Sequence, residues 1–348
     1  MKGLAAILVE LNKPLVLENI EIPELRFGQV LVKLLSSGIC GSQLGEIDGV
    51  KGEDKYLPHL LGHEGTGIVE ECGEGVTTVE EGDKVVLHWR KGAGIESYLP
   101  NYYSNKLGTI NAGWVTTFNE YAVVSENRIT TIPKNFNSEI GALMGCAVTT
   151  GLGVINNNAK VKIGESIVVW GAGGVGLNIV QGAALVSAYP IIAIDLYDKK
   201  LKLAKVMGAT HTINAKKYMP EKEISKIIGN NGADVVIDNT GNVDIIQRAY
   251  EITNQRGRTI LVGVPFIGKD VSIHTLPLHF EKVLTGSHGG ESQPNVDIPN
   301  YVSLINNGKL KLEQLITARY SLEQVNNAIE DMRIGKVSGR CLLNISNN

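Results

Sequence analysis

The chain has 348 residues, of which 43% are hydrophobic and 20% charged, a composition typical of a globular protein and not of a disordered or fibrous one. Its 33 basic and 36 acidic side chains give a net charge of −3, and no cluster of Lys and Arg indicates a nucleic-acid surface. The length exceeds that of one ordinary domain, so we expect two.

The first part of the chain is predicted to be rich in short strands. Its N-terminal apolar run meets Glu10 after six residues, which is too short for a signal peptide. Segments rich in Val and Ile, separated by Gly, Pro, Asp and Ser, indicate strands. These segments are VLVKLLSSGIC (30–40), GTGIVEECGEG (65–75) and DKVVLHW (83–89). We therefore expect a β-rich domain over residues 1–150.

From about Glu165 onward, strand and helix patterns alternate. Strands are predicted at 167–171, 191–195, 233–241 and 258–265, with helices at 175–188, 199–208 and around 244–253. This alternation is typical of a parallel sheet covered by helices on both faces. The stretch 167–194 has no charged residue, but it contains five glycines and Pro190. We interpret it as strand, turn, buried helix and strand, and not as a membrane span.

The end of the chain is expected to return to the first domain. The pattern over 309–335 indicates helix and loop, and SGRCLLNI (338–345) indicates a closing strand. The doubly wound unit is therefore predicted over 151–287, and 288–348 is assigned to the β-rich domain.

The motif GAGGVG, Gly171–Gly176, lies between a predicted strand and a predicted helix. In a dinucleotide-binding fold its glycines allow the tight turn, the approach of the pyrophosphate and close packing of helix on strand. Asp195 ends the next strand, 19 residues after Gly176, where an acidic residue binds the adenosine ribose. No Arg follows it to receive a 2′-phosphate, so NAD is predicted over NADP. A glycine turn without a ligand is the alternative.

Three candidate metal ligands are flanked by glycines. Cys40 lies in SSGICGSQ, His63 in LLGHEGTG and Cys146 in GALMGCAVTTG. Two thiolates and one imidazole suit zinc, and three protein ligands leave the fourth tetrahedral position open, as in a catalytic site. Spacing alone does not force this grouping, and each cysteine could instead be a small buried hydrophobic residue. Cys72 and Cys341, within strand patterns, are interpreted that way.

These segments resemble the zinc-dependent alcohol dehydrogenases of the medium-chain dehydrogenase/reductase (MDR) superfamily. The resemblance spans nearly the whole chain and is carried by GICGS (38–42), GHEGTGIVEECGEGVTTVEEGDKVV (62–86), GCAVTTGLG (145–153), GAGGVG (171–176) and VGVP (262–265). It implies an α/β fold, with a GroES-like catalytic domain containing the zinc site (1–150 and 288–348) and a Rossmann NAD-binding domain (151–287).

The resemblance implies an oxidoreductase that transfers a hydride between NAD(H) and an alcohol or polyol, or its aldehyde or ketone, through an alkoxide bound to zinc. A biosynthetic carbonyl reductase acting on a polar or sugar-derived substrate is one alternative. A non-catalytic NADH-binding sensor is another, which the intact ligand set disfavours because a sensor needs no open metal position. With only four cysteines and no secretion signal, we expect a soluble cytoplasmic protein without nucleic-acid or membrane partners.

Individual site residues follow from the same resemblance. Cys40, His63 and Cys146 would hold one catalytic zinc, Glu64 would lie behind the metal and coordinate it transiently, and Ser42 would bind the substrate hydroxyl. Thr150 and Val264 would lie near the nicotinamide, and Arg340 would bind the pyrophosphate. The remaining cofactor-binding assignments are Gly171, Gly173, Gly174, Val175, Gly176, Asp195, Lys200, Thr240 and Val262.

The chain departs from the family at four places. No cysteine follows GDKVV until Cys146, so we expect no structural zinc, and the loop 87–119 must be held otherwise. The aromatic residues Trp89, Tyr98, Tyr102, Tyr103 and Trp114 are candidates to pack it. Gly45 stands where many relatives have a proton-relay histidine, with His59 and His88 as candidate replacements. Gln43 replaces a carboxylate that supports the zinc-bound histidine, and Gly41 replaces a cationic residue near the cofactor phosphate.

The predictions of the substrate pocket and of the assembly rest on fewer residues. Trp89 is predicted to narrow the substrate pocket, and His288 to face the substrate. The segment 270–286, with Val271, Ile273 and Leu276, pairs edge to edge with a second subunit in relatives. We therefore expect a homodimer or homotetramer.

Overall fold

The computed structural model describes residues 1–346 and divides the chain into two units. The first unit contains Met1–Cys146, Gln293–Gly308 and the chain from Leu312 onward, and the second contains Ala147–Ser292 with Lys309–Lys311. The boundaries predicted at 150 and 287 each fall a few residues from these divisions. The last two positions of the predicted segment 288–348 lie outside the described residues.

The first unit consists mainly of short strands, as its Val- and Ile-rich segments predict. In chain order, its elements before the second unit are β1 (Lys2–Leu8), β2 (Val16–Glu21), β3 (Gln29–Ile39), α1 (Gly41–Ile47), β4 (His59–Leu60), β5 (Glu64–Cys72), β6 (Lys84–His88), β7 (Asn101–Ser104), β8 (Gly108–Asn111), β9 (Tyr121–Ser125), β10 (Ile129–Thr131) and α2 (Ser138–Met144).

The second unit alternates strands and helices. Its elements are α3 (Ala147–Gly153), a π-helical turn (Val154–Ala159), β11 (Ile167–Trp170), α4 (Gly174–Leu185), β12 (Ile191–Asp195), α5 (Asp198–Val206), β13 (His211–Asn214), α6 (Pro220–Ile228), β14 (Ala233–Asp238), α7 (Val243–Ile252), β15 (Thr253–Leu261) and β16 (Val283–Gly286). After it, the first unit adds α8 (Pro294–Asn306), β17 (Ile316–Ser321), α9 (Val325–Arg333) and β18 (Arg340–Asn344).

The strands of the first unit form a closed barrel and a second sheet. Strands β1, β2, β7, β8 and β4 close a barrel in that order, and a second sheet runs β10, β6, β5, β3, β18, β17, with β9 also pairing with β3. Because β3 has partners along both edges, it is buried over most of its length. Its antiparallel pairing with β5 places the end of β3 beside the start of β5. This arrangement brings together residues that are far apart in the sequence.

One element of the first unit differs from its prediction. Residues 316–321, predicted as helix or loop, form β17 and pair in parallel with β18. The segment ITARYS has too few apolar residues for a strand signal, and it is half exposed as the edge strand of its sheet. Its structure therefore depends on a hydrogen-bonded partner about 20 residues further along the chain.

The second unit contains a six-stranded parallel sheet in the order β13, β12, β11, β14, β15, β16. This is the strand order of a Rossmann fold, as the alternating pattern predicts. Strand β15 spans Thr253–Leu261, so the VGVP segment lies just beyond its carboxyl end and not inside the strand.

No single helix among the described residues is long and apolar enough to cross a membrane. One bent pair of consecutive helices, Ser138–Met144 with Ala147–Ala159, has the length and apolar composition of a membrane span when the two are taken together.

Candidate active site

Three strand and helix ends bring the predicted metal ligands together. Cys40 directly follows β3, and His63 directly precedes β5, which pairs with β3 in antiparallel fashion. Cys146 follows α2 after Gly145. A Cβ atom at Gly145 would lie 2.3 Å from the Leu87 carbonyl oxygen and 2.7 Å from the Glu64 Cα atom. Only glycine therefore lets the chain before Cys146 approach these strands.

The ligand atoms of Cys40, His63 and Cys146 lie within 4.8 Å of one another. Cys146 is buried, and the other two are half-buried. The Nε2 atom of His63 is buried, and the His63 side chain hydrogen-bonds the Cys40 thiol. A hydrogen bond from Cys146 holds the pKa of the Cys40 thiol well below its usual value, against the effect of burial. The donor set and its geometry fit a zinc ion.

A buried ion pair lies beside this cluster. Glu64 is fully buried and pairs with Arg340, which is 3% exposed. A Cβ atom at Gly38 would lie 2.5 Å from the Glu64 carboxylate, which explains the glycine in the GICGS segment. Arg340, which sequence resemblance assigns to the cofactor pyrophosphate, thus contacts the carboxylate assigned to a position behind the metal.

Two other predicted residues border the cluster. Trp89 is half-buried, and its ring centroid lies 6.5 Å from that of His63, so the indole is close enough to shape a substrate site. Ser42 lies exposed in the first turn of α1, two residues after Cys40.

His88 is unsuited to the proton relay suggested from its sequence position. It is fully buried, and its ring nitrogens contact the Arg90 carbonyl and the Thr130 hydroxyl. Burial lowers its pKa to about 4, so the ring is neutral at physiological pH and has no contact with solvent.

A cavity of about 560 Å³ adjoins His63 within the first unit. Its wall includes apolar side chains and His59, whose Nε2 lies 2.8 Å from an Asp54 carboxylate oxygen. Five charged residues also line it, which no sequence motif indicates, although four of them stand in GVKGEDKY (49–56). The charged residues are Glu46, Lys51, Glu53, Asp54 and Lys55.

In the second unit, most of the predicted cofactor residues lie at or just beyond the carboxyl ends of the parallel strands, where this fold binds dinucleotides. Gly171 follows β11 with a φ of +91°, and a Cβ atom at Gly176 would lie 1.9 Å from the Gly171 carbonyl oxygen. A Cβ atom at Gly173 would meet nothing within 4 Å, so that space is open at the start of α4. Gly174 and Val175 form the first turn of α4, whose amides face that opening.

Asp195 ends β12 beside this turn. Its carboxylate oxygens accept the N–H groups of Ala172 at 2.9 Å and Tyr197 at 3.0 Å, which fixes the side chain at the strand end. Lys200 lies on α5 with its Nζ 5.4 Å from the Tyr197 ring centroid, and Lys216 lies 4.3 Å from the same ring. Lys216 is a nearby cation that no sequence motif indicates, because it follows a different strand, β13.

Three other predicted cofactor residues follow the ends of neighbouring strands. Thr240 follows β14 and donates its hydroxyl to Asp238 at 2.6 Å. Val262 and Val264 follow β15, and Val264 is 63% exposed. Thr150, also assigned to the cofactor, is buried on α3 and does not lie at a strand end. His288, predicted to face the substrate, is exposed near the end of the unit.

Two families match the chain. Residues 26–134 match the family described as Alcohol dehydrogenase GroES-like domain, and residues 174–307 match Zinc-binding dehydrogenase. The chain is 33% identical to S-(hydroxymethyl)glutathione dehydrogenase of Escherichia coli O6:H1 over 362 positions, covering 97% of this chain and 98% of that relative. The enzyme of that name from Shigella sonnei is similar to the same extent.

Solved structures show the same relationship. Benzyl alcohol dehydrogenase from Acinetobacter calcoaceticus has a TM-score of 0.89 and 28% identity, covering 99% of this chain and 100% of that chain. An alcohol dehydrogenase zinc-binding domain protein from Burkholderia ambifaria has a TM-score of 0.90 and 28% identity, with full coverage of both chains.

These matches confirm the predicted fold class, a GroES-like domain with a Rossmann-type parallel sheet. They also confirm that the protein is an oxidoreductase acting on CH–OH groups. The chain belongs to the zinc-dependent alcohol dehydrogenases of the medium-chain dehydrogenase/reductase superfamily.

Proposed function

We propose that this protein is an NAD-dependent alcohol dehydrogenase that holds one zinc ion through Cys40, His63 and Cys146. It interconverts a polar alcohol or polyol and the corresponding aldehyde or ketone. The observation that carries the proposal is the convergence of the three ligand atoms within 4.8 Å of one another, with His63 also lining a cavity of about 560 Å³.

Bound zinc would supply a Lewis acid that polarises the oxygen of an alcohol or carbonyl group. The chain's own residues prepare its surroundings. The Arg340 guanidinium neutralises the buried Glu64 carboxylate beside the ligands. Ser42, exposed in the turn after Cys40, donates or accepts a hydrogen bond at the substrate oxygen.

The arrangement of possible metal-binding side chains supports one zinc ion per chain. Among residues 1–346, the cluster of Cys40, His63 and Cys146 is the one group of three or more His, Cys, Asp or Glu side chains placed to hold a metal. The loop 87–119, where many relatives bind a second zinc, contains no cysteine.

NAD is the proposed cofactor because of the strand ends in the second unit. The open space at Gly173 and the amides of α4 suit a pyrophosphate. The Asp195 carboxylate, held by two backbone N–H groups, accepts hydrogen bonds from ribose hydroxyls and repels a 2′-phosphate.

The cavity wall combines apolar side chains with charged ones. Five charged side chains line it together with Tyr56 and Trp114, and a volume of about 560 Å³ exceeds what a short aliphatic alcohol fills. A polyol, a sugar-derived carbonyl compound or an alcohol with a charged substituent would use these contacts.

Replacing Cys40 tests the proposal, with Cys72 as a matched control. Cys40→Ala removes one of three zinc ligands and should reduce both zinc content and turnover at least 100-fold. Cys72→Ala removes a half-buried cysteine that lies in β5 outside the cluster, and it should leave both unchanged. Metal analysis, NADH titration and alcohol-dependent NADH absorbance provide the readouts. Full turnover by Cys40→Ala would contradict the proposal.

Assembly as a homodimer or homotetramer is also proposed. Strand β16 is the last strand of the parallel sheet and is largely exposed, with Leu276 and Phe280 exposed in the segment before it. Val271 and Ile273, expected to supply the pairing, lie half-buried before this strand.

All four cysteines lie within the described residues and none is in a disulfide, which supports the expected cytoplasmic location.

A further inference from the structure

Gln43 contacts two of the proposed zinc ligands at once. Its side chain lies in the first turn of α1 and is 1% exposed. Its Oε1 atom accepts the backbone N–H of Cys40 at 2.9 Å, and its Nε2 atom lies 2.5 Å from Nδ1 of His63. The amide is therefore hydrogen-bonded on both sides, to the backbone of one ligand and the ring of another.

The available donors and acceptors determine how this amide is oriented. The Cys40 N–H can only donate, so it faces the amide oxygen. The amide NH₂ group, which also only donates, then faces His63, and Nδ1 must accept. A neutral His63 ring in this arrangement has its proton on Nε2, which is buried.

Metal binding through Nε2 requires the opposite arrangement. A ring nitrogen that binds a metal has no proton, so Nδ1 then holds the proton and needs an acceptor. The Gln43 amide has only one oxygen to accept hydrogen bonds. Two donors on opposite sides of the amide, Cys40 N–H and His63 Nδ1–H, would then compete for that oxygen. In either orientation of the amide, one of these two donors faces the NH₂ group.

We propose that Gln43 is a positioning residue that weakens zinc binding, because its amide opposes the metal-binding form of His63. This inference rests on the proposed zinc site. A carboxylate at position 43 would offer an acceptor to each of the two donors, so Gln43→Glu should hold zinc more tightly than the wild-type protein. Partners that orient a metal-binding histidine typically change metal affinity by about 10–100-fold.

The test measures zinc affinity and not turnover. Zinc is titrated into metal-free full-length protein in competition with a chromophoric chelator. The dissociation constant of Gln43→Glu should be about 10–100-fold below that of the wild type. Gln324→Glu is the matched control, since the exposed Gln324 also accepts a backbone N–H three residues earlier, from Ser321, but contacts no ligand. Its zinc affinity should be unchanged.

Equal affinities for Gln43→Glu and the wild type would overturn the inference and leave the proposed zinc site intact. Absence of zinc binding by the wild type would overturn both. If Gln43→Glu does not fold, nitrogen-15 NMR of histidine-labelled, metal-free wild-type protein decides the question, with His63→Asn to assign the ring. At mildly alkaline pH, an unprotonated Nδ1 of His63 supports the inference, and a protonated Nδ1 overturns it.

Discussion

Two glycines of the phosphate-binding turn have different structural requirements. At Gly176 a Cβ atom would lie 1.9 Å from a backbone carbonyl oxygen, which cannot move without disturbing β11 and α4. At Gly173 the backbone has a φ of −80° and the space for a Cβ atom is open. Gly176 is thus required by the fold, and Gly173 is required only if a ligand fills the open space.

Alanine substitutions should separate these requirements. Gly176→Ala should lower the free energy of unfolding by at least about 1–3 kcal/mol, because the added methyl group overpacks a rigid contact. Gly173→Ala should keep wild-type stability but weaken NADH binding at least 10-fold, because its methyl group occupies the space expected for the pyrophosphate. Urea denaturation and NADH fluorescence titration measure the two effects. Unchanged NADH affinity in Gly173→Ala would contradict the assigned cofactor position.

At the scale of elements, the loop 87–119 is held by the turn Glu126–Arg128. The Glu126 carboxylate accepts the N–H groups of Thr77, Thr78 and Ile95, and Arg128 binds the Trp89 carbonyl and the Glu96 carboxylate. These bonds connect the loop to neighbouring segments without a metal.

The aromatic packing predicted for this loop is only partly observed. Tyr102 is buried, and its hydroxyl accepts the Val123 N–H. Tyr98 is 79% exposed and Tyr103 is 48% exposed, so the prediction is wrong for both. Trp114 is 43% exposed but contacts the Arg128 guanidinium through its ring. Hydrogen bonds of the charged Glu126 and Arg128 side chains therefore replace the packing expected from Tyr98 and Tyr103.

The Glu126 bonds predict a pH dependence of stability. Burial acts to raise its pKa, but the N–H groups of Thr77, Ile95 and Thr78 outweigh burial and hold the pKa below its ordinary value. A carboxylate with a lowered pKa stabilises the folded state fully above its unfolded pKa of about 4.3, and this contribution is lost as the pH falls through the folded pKa.

Glu126→Gln should therefore be less stable than wild type at neutral pH, by about 1–3 kcal/mol, and should lose less stability on acidification. Urea denaturation followed by circular dichroism across the acid range measures both effects. Glu21→Gln is the control: it removes an exposed ion pair with Lys2 and should lower the free energy of unfolding by less than about 1 kcal/mol. An acid dependence of Glu126→Gln equal to that of the wild type would refute this role.

At the scale of the whole molecule, the exposed edge of the parallel sheet predicts self-association. A free strand edge presents unpaired backbone groups, and β16 adds the exposed side chain of Val283 to them. Pairing of two copies along this edge would bury both.

Val283→Lys should shift the proposed dimer or tetramer toward monomer, because two ammonium groups would meet at the paired edge. Analytical ultracentrifugation would show the change against a chain mass of 37.5 kDa. Val296→Lys provides the control, since Val296 is similarly exposed, at 49%, but lies on α8. Oligomer retained in Val283→Lys would show that β16 is not the contact.

Much of the fold could be predicted because its signals are local. The parallel sheet follows from apolar strands separated by helices, and the phosphate-binding turn from glycines whose conformation is a property of the residue itself. Strand β17 has no such signal, since its six residues become a strand only by pairing with β18.

The sequence by itself determined the residue types at the site: two thiols and one imidazole beside glycines, and a carboxylate at the end of β12. Only the tertiary structure decided that Cys40, His63 and Cys146 meet, because their convergence depends on the pairing of β3 with β5 and on the close approach at Gly145. The same holds for the Gln43 amide between two ligands and for the Glu64–Arg340 pair. Hydrogen bonds between distant segments depend on how the whole chain folds, and no local preference specifies them.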